Sequence, residues 1–286
     1  MTPAEYAAYE RAMGERVVEQ NGVYWRQVRP FFFRPLLSFE PLDASAVRRP
    51  WLARWGGWQC VVRDQCQANA AMAFLLFREV RGYSLHSLEK KRRWEVRQAE
   101  KQFEVRRLQH VGELVAAHPC YLEFQSRTRY KYRADRVDPK RFGAWAEEVF
   151  RHPKVMVWGA YHANRIEAVS LAIPVEQTLL YSTFFATTDG LRKHVASLML
   201  HVLRTWAQQR GDIAQVYVGL KKTGAEASVD QFYLQRGCEV VVQPAYCWVN
   251  PLAAWCLRRW RPDLWNRLAG RDLVSSVSSA LVPQEG

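Results

Sequence analysis

Residues 154–188 read KVMVWGAYHANRIEAVSLAIPVEQTLLYSTFFATT, and their reading decides the fold. Branched and aromatic side chains crowd three runs, separated by turn residues at His162–Arg165 and Pro174–Gln177. Runs of this length and type between turn signals predict three successive antiparallel strands. The period then changes. GLRKHVASLMLHVLRTWAQQRG, residues 190–211, sets Leu198, Val202, Leu203 and Trp206 on one helical side and stops at Gly211, so a long helix over Leu191–Arg210 is expected. AQVYVGL, residues 214–220, reads as a strand; SVDQFYLQRGCEVVVQPAYCWVN, residues 228–250, reads as a short helix ending at Gly237 and a strand interrupted by Pro244. The order is β-β-β-α-β-α-β.

Working outward, SLEKKRRWEVRQAEKQFEVRRL, residues 87–108, opens with six basic side chains between Ser87 and Lys101 around one tryptophan. As a helix with Ser87 as its cap, it places Leu88, Val96, Ala99 and Phe103 on a buried side, while Lys90, Arg93, Arg97 and Lys101 form a separate stripe. Lys91 and Arg92 point elsewhere, and Glu89, Glu95 and Glu100 temper the neighbouring face. The stripe suits a shaped anion site, or else a solvated helix face. The N-terminal segment MTPAEYAAYERAMGERVVEQ lacks the basic and apolar regions of a signal peptide and is read as an amphipathic helix. The apolar run AAMAFLLF, residues 70–77, is less than half the ~20 residues a membrane span needs.

The chain has 286 residues, of which 49% are hydrophobic, enough for a substantial core. Its net charge is +13. Residues 87–110 carry eight Lys/Arg against four acids, residues 121–141 seven against three, and residues 251–271 five against one. Such clustering points to an anionic partner, or to three separate solvated faces. The six cysteines form no CxxC pair and no Cys/His set with zinc spacing, so free thiols, no metal and a cytoplasmic location are expected. PLAAWCLRRWRPDLWNRLAG, residues 251–270, alternates tryptophan with arginine and is split by Pro262. It fits an anionic membrane surface, making the protein membrane-peripheral, or the edge of its own domain core. Residues beyond Arg271 read as a frayed terminus.

FYLQRGCE at Phe232–Glu239 resembles the FY-x-x-x-G-F-E segment of the GNAT acyltransferase superfamily, with Cys238 where an aromatic is usual. SLEKKRRWEVRQAEKQFEVRRL is similar to the Ser-Lys-Lys-x-Arg…Arg-x-Ala-Glu-Lys helix and strand of FemAB-like chains, within the branch that includes cellulose-biosynthesis-type acetyltransferase domains. The resemblance runs from about Leu88 to Val249. It implies an α/β (α+β) fold, a GNAT-like mixed central sheet flanked by helices with a partial N-terminal α/β half. Three regions follow: 1–110 as that partial half, 111–250 as the acyltransferase domain, and 251–286 as a Trp/Arg-rich helical tail.

The implied activity is N-acyl transfer from acetyl-CoA, another acyl-CoA or an aminoacyl-tRNA to an amine acceptor. The implied donor turn is Arg192, Lys193, His194, Val195, Ala196 and Ser197. Acetyl-CoA enzymes of the superfamily keep a glycine-rich turn there, whose bare N–H groups hold the pyrophosphate; here His194 stands at the first glycine and only Ala196 fits. Tyr233 matches the position whose hydroxyl protonates a departing thiolate; alternatively it packs beside Phe232. Glu167 is a candidate base or an exposed strand end, Asp189 a substrate-orienting group or a helix cap, and His194 a neutral base or a surface residue. Lys221 and Lys222, in a loop where the acceptor enters, are candidate phosphate contacts beside Lys90, Arg93, Arg97 and Lys101. A reading of another class is a non-catalytic basic module on the same scaffold, docking to RNA or an anionic membrane.

Overall fold

The computed structural model describes residues 1–128, 133–221 and 227–270. The chain opens with helix α1 (Pro3–Ala12) and strands β1 (Val17–Gln20), β2 (Val23–Arg29), β3 (Phe32–Pro35) and β4 (Gly57–Val61). It continues through β5 (Ala70–Phe77), α2 (Lys90–Glu100), β6 (Glu104–Arg107), α3 (Val111–Val115), α4 (His118–Thr128) and α5 (Pro139–Phe150). Then come β7 (Met156–His162), β8 (Arg165–Val175), β9 (Thr178–Ala186), α6 (Thr188–Arg192), α7 (Val195–Arg210), β10 (Gln215–Leu220) and α8 (Ala227–Leu234). Strand β11 (Glu239–Val249) leads to α9 (Pro251–Trp260) and α10 (Pro262–Ala269).

Two compact units result: a larger one, Leu75–Glu239 with Met1–Thr2, and a smaller one, Pro3–Phe74 with 240–270. The linear division at 110 and 250 therefore differs from the one the contacts make. The reason is a long-range pairing that local sequence does not announce: β11 runs antiparallel to β4, with Ala245 opposite Val61 and Val249 opposite Gly57. In the smaller unit the strand order is β1-β2-β3-β4-β11, antiparallel except for the parallel β3–β4 pair. In the larger unit it is β10-β9-β8-β7-β6, with a parallel β9–β10 pair and an antiparallel β9-β8-β7-β6 meander, and β5 passes from the smaller unit into the larger at Leu75. Both units are thus mixed sheets with helices against them, the α/β class expected.

The meander turns are two-residue hairpins. His162 pairs with Arg165 around Ala163 and Asn164, both at positive φ, and Val175 pairs with Thr178. Successive residues of β9 serve opposite faces. Phe184 and Ala186 meet the cluster of Leu88, Val96, Ala99 and Phe103 from the α2 segment with Val195, Leu198 and Met199 from α7. Phe185 between them packs edge-on against Tyr121 of α4, with ring centroids 5.3 Å apart.

Local differences from the sequence reading have local causes. The N-terminal helix stops at Ala12, where Gly14 turns the chain at φ 83°, and β1 follows. The helix expected over Leu191–Arg210 is two, because His194 adopts the left-handed conformation at φ 65°. Ser87 closes a 3-10 turn onto the Ser84 carbonyl, at 2.7 Å, and Glu89 precedes α2 as its cap residue without a side-chain bond. Pro244 does not interrupt β11, since its carbonyl accepts from the Val62 N–H at 3.0 Å and no N–H is missed.

Candidate active site

The site begins where two parallel strands part. Among the described residues, β10 pairs with β9 only from Gln215–Thr178 to Tyr217–Leu180. At the same place β9 is bulged: Tyr181 faces Ala172 and Thr183 faces Leu171, leaving Ser182 as the extra residue. A bulge bends a strand and re-aims its side chains, and the β9–β10 ladder ends beside it, so the two strands part there. Tyr181 stands at that point, stacked 6.4 Å from Phe184 and edge-on to Tyr233 at 6.2 Å.

Tyr233 is held there by the end of α8. Gly237, at φ 83°, lets its own N–H reach the Leu234 carbonyl and the Cys238 N–H reach the Tyr233 carbonyl, each at 3.1 Å. Phe232 lies 5.3 Å from the Tyr233 ring. Burial raises the Tyr233 hydroxyl well above its ordinary range, and the neighbouring Cys238 and Asp230 raise it further. The phenol is therefore protonated throughout the neutral range, and its conjugate base would be strong. Burial likewise pushes the Cys238 thiol up to about 12, which makes it a packing group.

The second part is an open hollow of about 710 Å³ along α2, lined by Lys90, Arg93, Trp94, Arg97, Gln98, Glu100 and Lys101. All four residues of the expected stripe line it. Trp94 is 53% exposed, and its ring meets the His194 imidazole edge-on at 5.5 Å. The turn before α7 thus touches one wall of the hollow, Trp94, while every lining residue belongs to the α2 segment. Four of the first turn's residues, Lys90 to Arg93, are cations at the positive end of the helix dipole, with no acid among them. That arrangement opposes local stability and is what an anion site requires.

A buried polar knot fixes α2 against α7 and α8. Glu95, 4% exposed, accepts from Arg92 and, at 2.6 Å, from Arg236. Arg236 also donates to the Ser197 hydroxyl at 2.8 Å and lies 3.7 Å over the Phe232 ring. Arg92 reaches Gln235 as well. Burial lowers the Arg236 guanidinium to about 10, against the pull of Glu95, so it keeps its charge at neutral pH. The basic run therefore divides: Arg92 belongs to the interior, the stripe to the hollow.

The remaining candidates separate in the same way. Of the expected donor turn, Val195 and Ser197 are buried, and the Ser197 hydroxyl donates to Glu95 at 3.2 Å. Arg192 is exposed, and Lys193, His194 and Ala196 are half-buried. Lys193 pairs with Asp189 at 2.7 Å, and this bond depresses the Asp189 carboxyl. The cap of α6 is Thr187, whose hydroxyl accepts from the Gly190 N–H at 3.0 Å, so Asp189 does not fill that role. Glu167 is 1% exposed, with its carboxylate bonded to Arg165 at 2.6 Å and to the Thr187 hydroxyl. It braces β8 against the start of α6. Lys221 is exposed at the end of β10, and Lys222 lies outside the described residues. Sequence reasoning passed over Tyr181, Trp94 as a wall, and Arg236. Only Trp94 carried a signal, a large ring on an otherwise charged face; the others needed the bulge and the knot to be seen.

No protein-family model matches the chain, and no curated protein does. Solved structures do. FemX aligns over 90% of this chain and 93% of its own at 8% identity, with a TM-score of 0.57. The C-terminal domain of a protein assigned as a lysylphosphatidylglycerol synthetase, from Agrobacterium fabrum, covers the same shares at 9% identity and a TM-score of 0.57. L-PGS from Bacillus licheniformis aligns over 94% of this chain and 97% of its own at 11% identity, with a TM-score of 0.50. The fold is GNAT-like, of the FemAB type.

Proposed function

We propose that this chain is an N-acyltransferase that takes its acyl group from an anionic carrier lying in the α2 hollow and passes it to an amine where β9 parts from β10. The observation that carries this reading is the hollow itself, in which four cations stand beside an exposed indole that meets His194 of the turn before α7. The preferred carrier is a charged tRNA. Lys90, Arg93, Arg97 and Lys101 are spaced to follow successive phosphates, and Trp94 offers a ring on which a base can stack. His194 argues against acetyl-CoA, since a side chain stands where a pyrophosphate needs bare backbone.

The chemistry balances with few groups. The amine nitrogen attacks the acyl carbonyl, whose electron pair moves to oxygen, and we assign that oxyanion to backbone N–H groups of β9 beyond the end of its ladder with β10. When the carbonyl re-forms, the bond to the carrier oxygen breaks and Tyr233 gives it a proton. The resulting tyrosinate, a strong base chiefly because of its burial, with Cys238 and Asp230 adding to it, recovers a proton from the newly bonded nitrogen. A phenol held this firmly suits an alkoxide leaving group better than a thiolate. Arg236, Glu95 and Ser197 hold the three helices in place, and Lys193 with Asp189 braces the turn.

A second reading, a non-catalytic basic module for RNA or an anionic membrane, is favoured by one observation: Glu167 and Ser197 are bonded inward, and Tyr233 alone of the named candidates stands where β9 parts from β10. Incubating the full chain with charged tRNA, or with acetyl-CoA, plus a panel of amines separates the readings. Deacylation of tRNA coupled to a mass gain on an amine is expected. Transfer from acetyl-CoA alone would overturn the donor assignment. Tight tRNA binding without transfer would replace the first reading with the second.

A further inference from the structure

A face of the smaller unit stands apart from the transfer site. Trp51, Trp55, Leu252, Trp255 and Trp260 are between 58% and 70% exposed, although scattered large apolar groups, not groups of five, are what a soluble surface normally leaves open. They are neighbours. Asn250 caps α9 and binds the 51–55 turn through its side-chain amide on the Arg54 carbonyl at 2.9 Å and its N–H on the Gly56 carbonyl at 2.8 Å. Along α9, Ala254 turns inward while Leu252, Trp255 and Arg259 share the outer side at helical spacing. The Trp255 and Trp260 rings meet edge-on at 5.5 Å.

We infer that this face docks the protein on an anionic lipid bilayer, its indoles at headgroup depth and its guanidinium groups on lipid phosphates. Charge and shape both argue for that occupant. Residues 47–57 and 250–260 hold Arg48, Arg49, Arg54, Arg258 and Arg259 and no acid, and next along the chain Arg261 is paired with Asp263 at 3.3 Å. Indoles interleaved with arginines form the composition that partitions to a charged interface. Arg258, 4.3 Å over the Trp265 ring, also edges a hollow of about 500 Å³ with Tyr246 and Trp248, in which a phosphate headgroup has room. Nucleic acid fits less well, because the Arg54 guanidinium already covers Trp51 and Trp55 at 5.2 and 5.6 Å, so those ring faces are not free for bases. A second copy meeting the face about a two-fold axis would set arginines against arginines. The inference goes beyond the proposed transfer reaction and does not need it.

The test uses the full chain carrying Arg93→Glu and Arg97→Glu, which removes the α2 contribution, so that this face and the donor site fail or succeed separately. Co-sedimentation with phosphatidylcholine vesicles, with and without phosphatidylglycerol, should show binding only when the anionic lipid is present, with tryptophan quenching by brominated acyl chains. Adding Trp255→Ala with Trp260→Ala should weaken binding by roughly tenfold or more and reduce the quenching, while Trp255→Phe with Trp260→Phe should retain most of both. Arg54→Glu with Arg259→Glu should cost a similar factor, on the order of tenfold. Lys140→Glu with Arg141→Glu, the same change of charge on α5, should cost little. Equal loss from the α5 pair, binding unmoved by the alanine pair, vesicle binding displaced by a polynucleotide, or a dimer that the alanine pair dissolves would each overturn the inference.

Discussion

Helices α2 and α9 both wrap arginines around tryptophan, yet the protein uses them in different ways. In α2 a glutamate inside the helix draws Arg92 and Arg236 into the interior, and what is left outside is a hollow with one indole, Trp94, on its wall. Among the described residues no carboxylate draws in the arginines of α9, and the indoles stand outward on a face. Composition alone does not distinguish a pocket from a docking face. The buried counter-charge does, because it fixes which cations leave the surface.

The largest effect should come from removing that counter-charge. Glu95→Ala leaves Arg92 and Arg236 buried together, and should destabilise the protein by about 3–5 kcal/mol in urea unfolding. Arg259→Ala on α9, with no buried partner, should change stability by less than about 0.5 kcal/mol. Similar losses from both would end the contrast between the helices.

Next, Arg93→Glu with Arg97→Glu should weaken charged-tRNA binding by roughly 100-fold or more, and lower the salt slope by about one for each phosphate that is no longer neutralised. Lys91→Glu, one position aside on the same helix, should stay within about threefold. Titrations at several salt concentrations check both, and equal effects would mean that net charge alone governs binding.

Tyr233→Phe should reduce the turnover rate by roughly 10²-fold with donor affinity and the unfolding midpoint nearly unchanged. A parallel fall in stability would make the hydroxyl a structural group. His194→Gly should relieve a left-handed conformation worth about 1 kcal/mol and bare the turn, raising acetyl-CoA affinity by about tenfold in calorimetry.

The smallest effect concerns His201, which takes a 2.8 Å bond with the Tyr83 hydroxyl and faces Glu100 of α2 at 4.0 Å. Burial, with Arg204 next in effect, lowers its pKa from the ordinary 6.5. Below that value the unfolded chain takes up a proton that the fold resists. Stability should therefore be fully present above about pH 6.5 and fall as pH drops toward the depressed folded value, by at most about 1.4 kcal/mol per pH unit. His201→Gln should flatten that slope in denaturation curves at graded pH.

What the sequence determined by itself was periodic and local. The three-strand meander with its two turns, the stripe of Lys90, Arg93, Arg97 and Lys101, the stop at Gly237 and the break at Pro262 each follow from neighbours within one or two helical turns or one hairpin. Tertiary structure alone decided the rest. The β4–β11 pairing that joins residues 57–61 to 245–249, the parting of β9 from β10 beside Ser182, and the Glu95–Arg236 bond across 141 positions have no local signature. Glu167 and Asp189 fall between, since the Arg165–Glu167 and Asp189–Lys193 pairs are local while the Thr187 hydroxyl reaches Glu167 from 20 positions on. Periodicity is a property of the backbone and repeats along the chain, whereas a buried charge is placed by whichever partner the fold brings to it, and that partner is distant in sequence.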